Sequence, residues 1–181
     1  MSVFTNPAGA AKENAEAYVK AVLELLGEQE PLSVLEGLVT SVTEQMRGLT
    51  DEQARQPEAE GKWSITEVIQ HLADSELVWA YRLRMVLAQD KPVIVGYDQD
   101  NWAARLHYRR AVLAEALEQI RILRTANLRL LRSLSPAELQ RAGVHNERGE
   151  ETVAYMMRLY AGHDLVHLRQ IARIRAKLTE L

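Results

Sequence analysis

Apolar residues recur along the chain at steps of three and four, and no two-residue alternation of any length interrupts them. That spacing is the pattern of packed helices. Residues 10–26 read as a first amphipathic helix, ended by Gly27, and Pro31 stands where a second can begin. Leu32, Leu35, Leu38, Val42, Met46 and Leu49 make the stripe of that second helix. Residues 50–62, with Pro57 and Gly61, form a polar connector. Ser64 and Glu67 then make a capping box that opens a helix running to about residue 89. Residues 90–100 read as a loop, since Pro92 and Gly96 punctuate them; Val93, Ile94 and Val95 have strand character but no visible partner strand. A long helix is predicted over residues 101–134. Ser135-Pro136-Ala137-Glu138 restarts the chain, residues 142–149 form a second loop, and residues 151–178 form the last helix. The prediction is an all-α protein, a single domain over 1–181 in which four principal helices make a bundle, with an additional N-terminal helix and short connecting helices.

Composition narrows the function. A chain of 181 residues, 47% hydrophobic and 26% charged, can bury about 70% of the surface it exposes when unfolded. The absence of cysteine excludes disulfides, thiolate zinc sites and cysteine nucleophiles. No apolar run approaches a membrane span, and residues 1–14 lack a signal-peptide core, so a soluble, cytoplasmic protein is expected. The net charge of −3 is mild but uneven: residues 1–60 hold 4 basic and 11 acidic side chains, residues 101–181 hold 14 and 8. The C-terminal arginines are dispersed along helices, so no nucleic-acid partner is expected and the charge asymmetry reads as complementary helix faces. The N-terminal helix exceeds what a four-helix bundle needs. Its apolar side requires cover from its own bundle or from a second copy, and a homodimer is expected.

The helical stripes are broken in two places. At 100° per residue, Val153, Met156, Met157, Tyr160, Ile171, Ile174 and Leu178 share one arc of the last helix, and His163, Asp164 and His167 fall on the same arc. Titratable groups in a core stripe require partners, because burying them unpaired is costly. His163 and His167 are four apart, so their imidazoles project from one face as two metal ligands on a helix do, although two packed core histidines share that spacing. In the helix after Ser64, the stripe of Ile65, Ile69, Leu72, Trp79, Leu83 and Val86 contains Glu76, with His71 at its flank. Glu76 calls for an arginine, and both Arg109 and Arg124 lie on the apolar side of the long helix that follows.

Four segments, in order, give these breaks a context: GKWSITEVIQHLADSE, RLRMVLAQDKPVIVGYDQDNW, HNERGEET and AGHDLVHLRQI, together spanning residues 61–171. The chain thereby resembles the DinB-like (YfiT-type) superfamily of metal-dependent enzymes. The resemblance implies a four-helix bundle whose metal is held by His71, His163 and His167. It also implies a small-molecule substrate and either hydrolysis or chemistry that uses a low-molecular-weight thiol.

Three neutral imidazoles leave a divalent ion with positions open to water or substrate, which is the arrangement of a catalytic site. Nitrogen-only ligation suits zinc, nickel, copper or iron(II), zinc or nickel foremost, and argues against calcium or magnesium. Asp74, Asp164 and Gln170 are the candidates to accept the second N–H of a ligating imidazole. Asp164 and Glu76 are the candidate carboxylates for proton transfer. The segment Tyr97-Asp98-Gln99-Asp100-Asn101-Trp102 is placed either to cap the next helix or to line a substrate pocket. Trp63, Trp79 and Trp102 read as core anchors, His145 as structural and His107 as a surface residue. Without cysteine, a thiol route must import its sulfur, so an S-transferase needs an external thiol cofactor. The competing expectation is a helical metal-binding or interaction protein without turnover, of the stress-response kind.

Overall fold

Side chains that satisfy free amides start most of the helices. The computed structural model describes residues 12–179; residues 1–11, including the first two of the expected N-terminal helix and most of the stretch read for a signal peptide, lie outside the described residues. After α1 (Lys12–Leu26), Glu30 accepts the Ser33 N–H at the start of α2 (Pro31–Met46), and Thr50 with Gln53 caps the short α3 (Asp51–Ala54). Ser64 and Glu67 cap α4 (Ile65–Ala88) reciprocally, Asp98 caps α5 (Gln99–Arg105), and Ser135 with Glu138 caps α7 (Pro136–Leu139). The remaining long helices are α6 (Leu113–Arg132) and α8 (Val153–Thr179). No helix among the described residues is long and apolar enough to cross a membrane.

The four long helices form a ring in which α2 and α4 each pack on both α6 and α8. The mostly helical, four-helix-bundle expectation holds. The N-terminal helix α1 lies on α8, where a Cβ at Gly162 would stand 2.5 Å from the Val22 carbonyl oxygen, so the two backbones touch where only glycine fits. Val22 and Leu26 are thereby buried within the chain. Of the two sources of cover expected for this side, the chain's own bundle supplies it for these two residues, through α8.

Two apolar clusters fill the bundle. One holds Leu35, Trp79, Leu83, Leu128, Met156 and Tyr160; the other holds Leu38, Ile65, Ile69, Leu72, Ile120 and Ile171. Between them, at the level of residues 71–76 on α4, 124–127 on α6 and 163–167 on α8, the core is polar. The breaks in the sequence stripes are this layer.

Three expectations need correction. The segment at Val93–Ile94 does have a partner: it is β1, which pairs in parallel with β2 (Ala142–His145), Val93 opposite Val144. In turn β2 pairs antiparallel with β3 (Gly149–Thr152), so the second expected loop is a hairpin and α8 begins only after it. The expected helix over 101–134 is broken into α5, a single 3₁₀ turn at Tyr108–Arg110, and α6, with His107 in the left-handed region at φ 58°. The break turns Tyr108 into the core, edge-on to Trp63 at 6.4 Å. The Arg55 side chain donates to the freed carbonyls of Arg109 and Ala111, at 2.8 and 2.9 Å. A contact made from α3, more than fifty residues earlier, is not legible in local periodicity.

Candidate metal centre

Because α4 and α8 are neighbours in the ring, His71 meets the two histidines that α8 carries one turn apart. His163 Nε2 lies 3.2 Å from His71 Nε2 and 3.1 Å from His167 Nε2. The three residues offer nitrogen atoms all within 4.8 Å of one another. A neutral imidazole nitrogen carries either one proton or one lone pair, so His163 Nε2 cannot make good hydrogen bonds to both neighbours at once. A cation among the three removes that conflict, and the all-nitrogen donor set suits a divalent transition-metal ion rather than calcium or magnesium. His167 Nδ1 donates to Gln170 Oε1 at 2.8 Å, which fixes its proton there and leaves the Nε2 lone pair facing its neighbours. Burial holds His71 and His163 well below the usual histidine range and His167 down at about 4, so all three are neutral near pH 7. The Trp63 ring covers His71 at 5.1 Å.

Behind the histidines lies a buried ion network that joins all four helices of the ring. Arg124, on α6, donates Nε to Glu76 Oε2 on α4 at 2.8 Å, and Nη1 to Asp164 Oδ2 on α8 at 2.7 Å. It also donates to the Leu35 carbonyl of α2 at 2.7 Å. Asn127 and Tyr160 complete the shell of Glu76, at 2.7 and 3.1 Å. Arg124 is 3% exposed and both carboxylates 0%, so the charges are compensated only by one another. Burial, together with the like charge of Glu76, pushes the Asp164 carboxyl up to about 6 against the pull of Arg124. Of the two arginines expected for Glu76, Arg124 is the partner; Arg109 is exposed and pairs with Glu67 at 3.2 Å. Tyr160 ties the network to the histidines: its ring lies under the Arg124 guanidinium at 5.2 Å and stacks on His163 at 5.6 Å.

A cavity of about 130 Å³ opens on His71 and His163, roofed by Tyr18 and Val19 of α1. Ser75 and Tyr97 line it, their hydroxyls 2.8 Å apart, with Ser75 Oγ 3.4 Å from His71 Nε2. Other residues expected at the site stand elsewhere. Asp74 accepts from Gln70 at 3.2 Å, and Asp98 caps α5. Trp102, expected as a core anchor or at the pocket, is half-buried against the Tyr97 ring at 4.5 Å and does not line the cavity. Neither Glu76 nor Asp164 lines the cavity. His107 is exposed; His145 is buried and does line the cavity, a position the structural reading of it did not foresee. Ser75, Trp79 and Arg82 were also missed, although they follow His71 at four, eight and eleven residues and so share its face of α4.

The sequence and the fold both have relatives. The family model described as the DinB superfamily matches residues 35–171. A protein of Oceanobacillus iheyensis, named "putative metal-dependent hydrolase", is 32% identical over 126 residues, covering 70% of this chain and 73% of the relative. One of Bacillus mycoides with the same name is 28% identical over 144 residues, covering 80% and 83%. Among solved structures, YfiT from Bacillus subtilis superposes with a TM-score of 0.71 at 25% identity, covering 79% of this chain and 84% of its own. It is described as "a probable metal-dependent hydrolase with an unusual four-helix bundle topology".

Proposed function

The chain belongs to the DinB superfamily, and on that footing we propose that it is a metal-dependent enzyme whose divalent ion, zinc or nickel, is held by His71, His163 and His167. The observation that carries this reading is the convergence on one point of three neutral imidazoles, two buried and one half-buried, with His71 and His163 lining a cavity. An ion held there supplies Lewis acidity enough to bring the pKa of a water to about 7 and to deprotonate a thiol. The residues of the chain do the rest. Gln170 keeps the His167 proton on Nδ1, and Tyr160 holds His163 from behind. Ser75 Oγ and Tyr97 Oη, side by side at the cavity wall, hydrogen-bond the substrate and orient it. Val19, Val78, Met156 and Leu159 keep water from the bound molecule. Asp164 and Glu76 act by position, since their oxygens are engaged by Arg124 rather than turned toward a substrate. The substrate is a small molecule, and the reaction is hydrolysis or, with a thiol supplied from outside, S-transfer.

Elemental analysis of protein purified without a polyhistidine tag tests the site. One zinc or nickel per chain is expected, lost in each of His71→Ala, His163→Ala and His167→Ala. Protein that takes up no stoichiometric metal, with all three variants unchanged, overturns the site. The loaded protein is then offered esters and amides, and separately electrophiles with small thiols. Turnover in one panel above that of His163→Ala identifies the reaction. No turnover in either, with metal bound, leaves a binding protein and overturns the enzymatic reading for those substrates.

A further inference from the structure

The cavity has a second wall, away from the histidine cluster, built by Trp79 and Arg82 of α4, His145 of β2 and Arg148 of the turn that follows. Its hydrogen-bonding inventory is one-sided. His145 is 1% exposed, and its Nδ1 accepts the Glu147 N–H at 3.2 Å, so its proton is on Nε2. That N–H is buried without an acceptor, and so is the indole N–H of Trp79. Native proteins seldom leave such donors unmatched. Arg148 is engaged by Glu151, Nε to Oε1 at 2.5 Å and Nη2 to Oε2 at 3.2 Å. Arg82 is not so matched: it donates to the Val95 carbonyl at 2.5 Å, lies 5.9 Å from the Tyr97 ring, and has no carboxylate within ion-pair distance among the described residues. Burial first, and then the neighbouring Arg148 charge, lower its pKa against the opposing pull of Tyr97, Glu151 and Glu147, none of which pairs with it directly.

We propose that this wall is a carboxylate subsite, in which a carboxylate of the bound molecule sits against the Arg82 guanidinium and the Nε2–H of His145. Its placement of the reacting end at the three histidines rests on the function proposed above; the subsite itself does not. A single negative charge fits better than a phosphate dianion, because Arg82 is the guanidinium without a direct carboxylate partner while the carboxylates of Glu147 and Glu151 also border the cavity and repel a second charge. The apolar side chains of Val78, Met156 and Leu159 fit a hydrocarbon spacer between the carboxylate and the reacting group. The matching chemistry is an aliphatic or aromatic acid of modest size.

Calorimetric titration of butyrate, acetate, inorganic phosphate and butylammonium into the metal-free and the zinc-loaded protein tests the proposal. Butyrate is expected to bind both forms saturably and more tightly than acetate or phosphate. Arg82→Met is expected to weaken it about tenfold or more, the usual loss of a charge-assisted hydrogen bond, and Arg82→Lys to restore part of the loss. Glu147→Gln, which removes a like charge from the half-buried rim, is expected to tighten butyrate several-fold; it stands as the deciding variant if Arg82→Met does not fold. The proposal is overturned if the metal-free wild type binds no butyrate, or if Arg82→Met and Glu147→Gln leave its binding unchanged. It is overturned equally if phosphate binds as tightly, or if butylammonium is preferred and lost in Glu147→Gln. Failure of the metal reading shows separately, as absent zinc uptake with butyrate binding intact.

Discussion

Arg124→Met removes the one cation that two fully buried carboxylates share. Methionine fills most of the arginine volume, so the perturbation is electrostatic rather than a cavity. Glu76 loses its 2.8 Å contact, Asp164 its 2.7 Å contact, and the Leu35 carbonyl its donor. Removing one partner of a buried ion pair costs about 3–5 kcal/mol, because the remaining charge is left uncompensated. Against a total stability of roughly 5–15 kcal/mol, the variant should sit near the threshold of folding. Urea denaturation at neutral pH, compared with wild type, gives the difference directly. A second feature identifies the cause. Without its guanidinium the Asp164 carboxyl, already pushed up by burial, has a folded pKa further above the unfolded one, so its penalty is full above the folded pKa and relieved as pH falls toward the unfolded one. The deficit of Arg124→Met should therefore shrink between about pH 7 and pH 5. Replacing Glu76, Arg124 and Asp164 together by apolar residues should recover part of the loss. The recovery is incomplete, because Asn127 and Tyr160 lose acceptors at about 1–3 kcal/mol each. A deficit below about 1 kcal/mol, or one constant with pH, would refute the assignment of this network as a mutually compensated buried cluster.

Three further outcomes follow from the same structure. The metal-free protein should lose stability as pH falls below about 6.5, since His71 and His163 are held well below that value, His167 at about 4 and His145 at about 3. Their contribution is intact above the unfolded pKa and lost as pH drops through the folded values, while the raised Asp164, at about 6, opposes the trend with one carboxyl against four imidazoles. Thermal midpoints that stay level or rise between about pH 7 and pH 5 contradict this. Gly162→Ala should cost about 1–3 kcal/mol and raise protease cleavage in α1, because the new Cβ meets Val22 backbone that cannot yield; an unchanged midpoint shows that α1 does not press on α8 as described. Gln170→Leu should weaken zinc about 10–100-fold in a competition titration by freeing the His167 ring, and unchanged affinity removes Gln170 from the site.

Local chemistry settled much of this molecule. Ser64 with Glu67 and Ser135 with Glu138 start helices where the sequence places them, because a cap and the amides it satisfies lie within three residues. The apolar stripes gave the bundle, and their interruption by His71, Glu76, His163, Asp164 and His167 marked the polar layer, since helical period alone decides which side chains share a face. The histidine cluster was legible for the same reason, with the family resemblance supplying the partner helix. What periodicity could not decide was any pairing between distant segments. Arg109 and Arg124 were equivalent candidates for Glu76 until the break at His107 turned Arg109 outward to Glu67. Val93 had no strand to pair with until the fold brought Val144 alongside it, and two-residue strands are too short to show a period. The Arg82–His145 wall belongs to the same class: its members come from α4 and from a hairpin some sixty residues later, and only the packing of one on the other brings them to a common cavity.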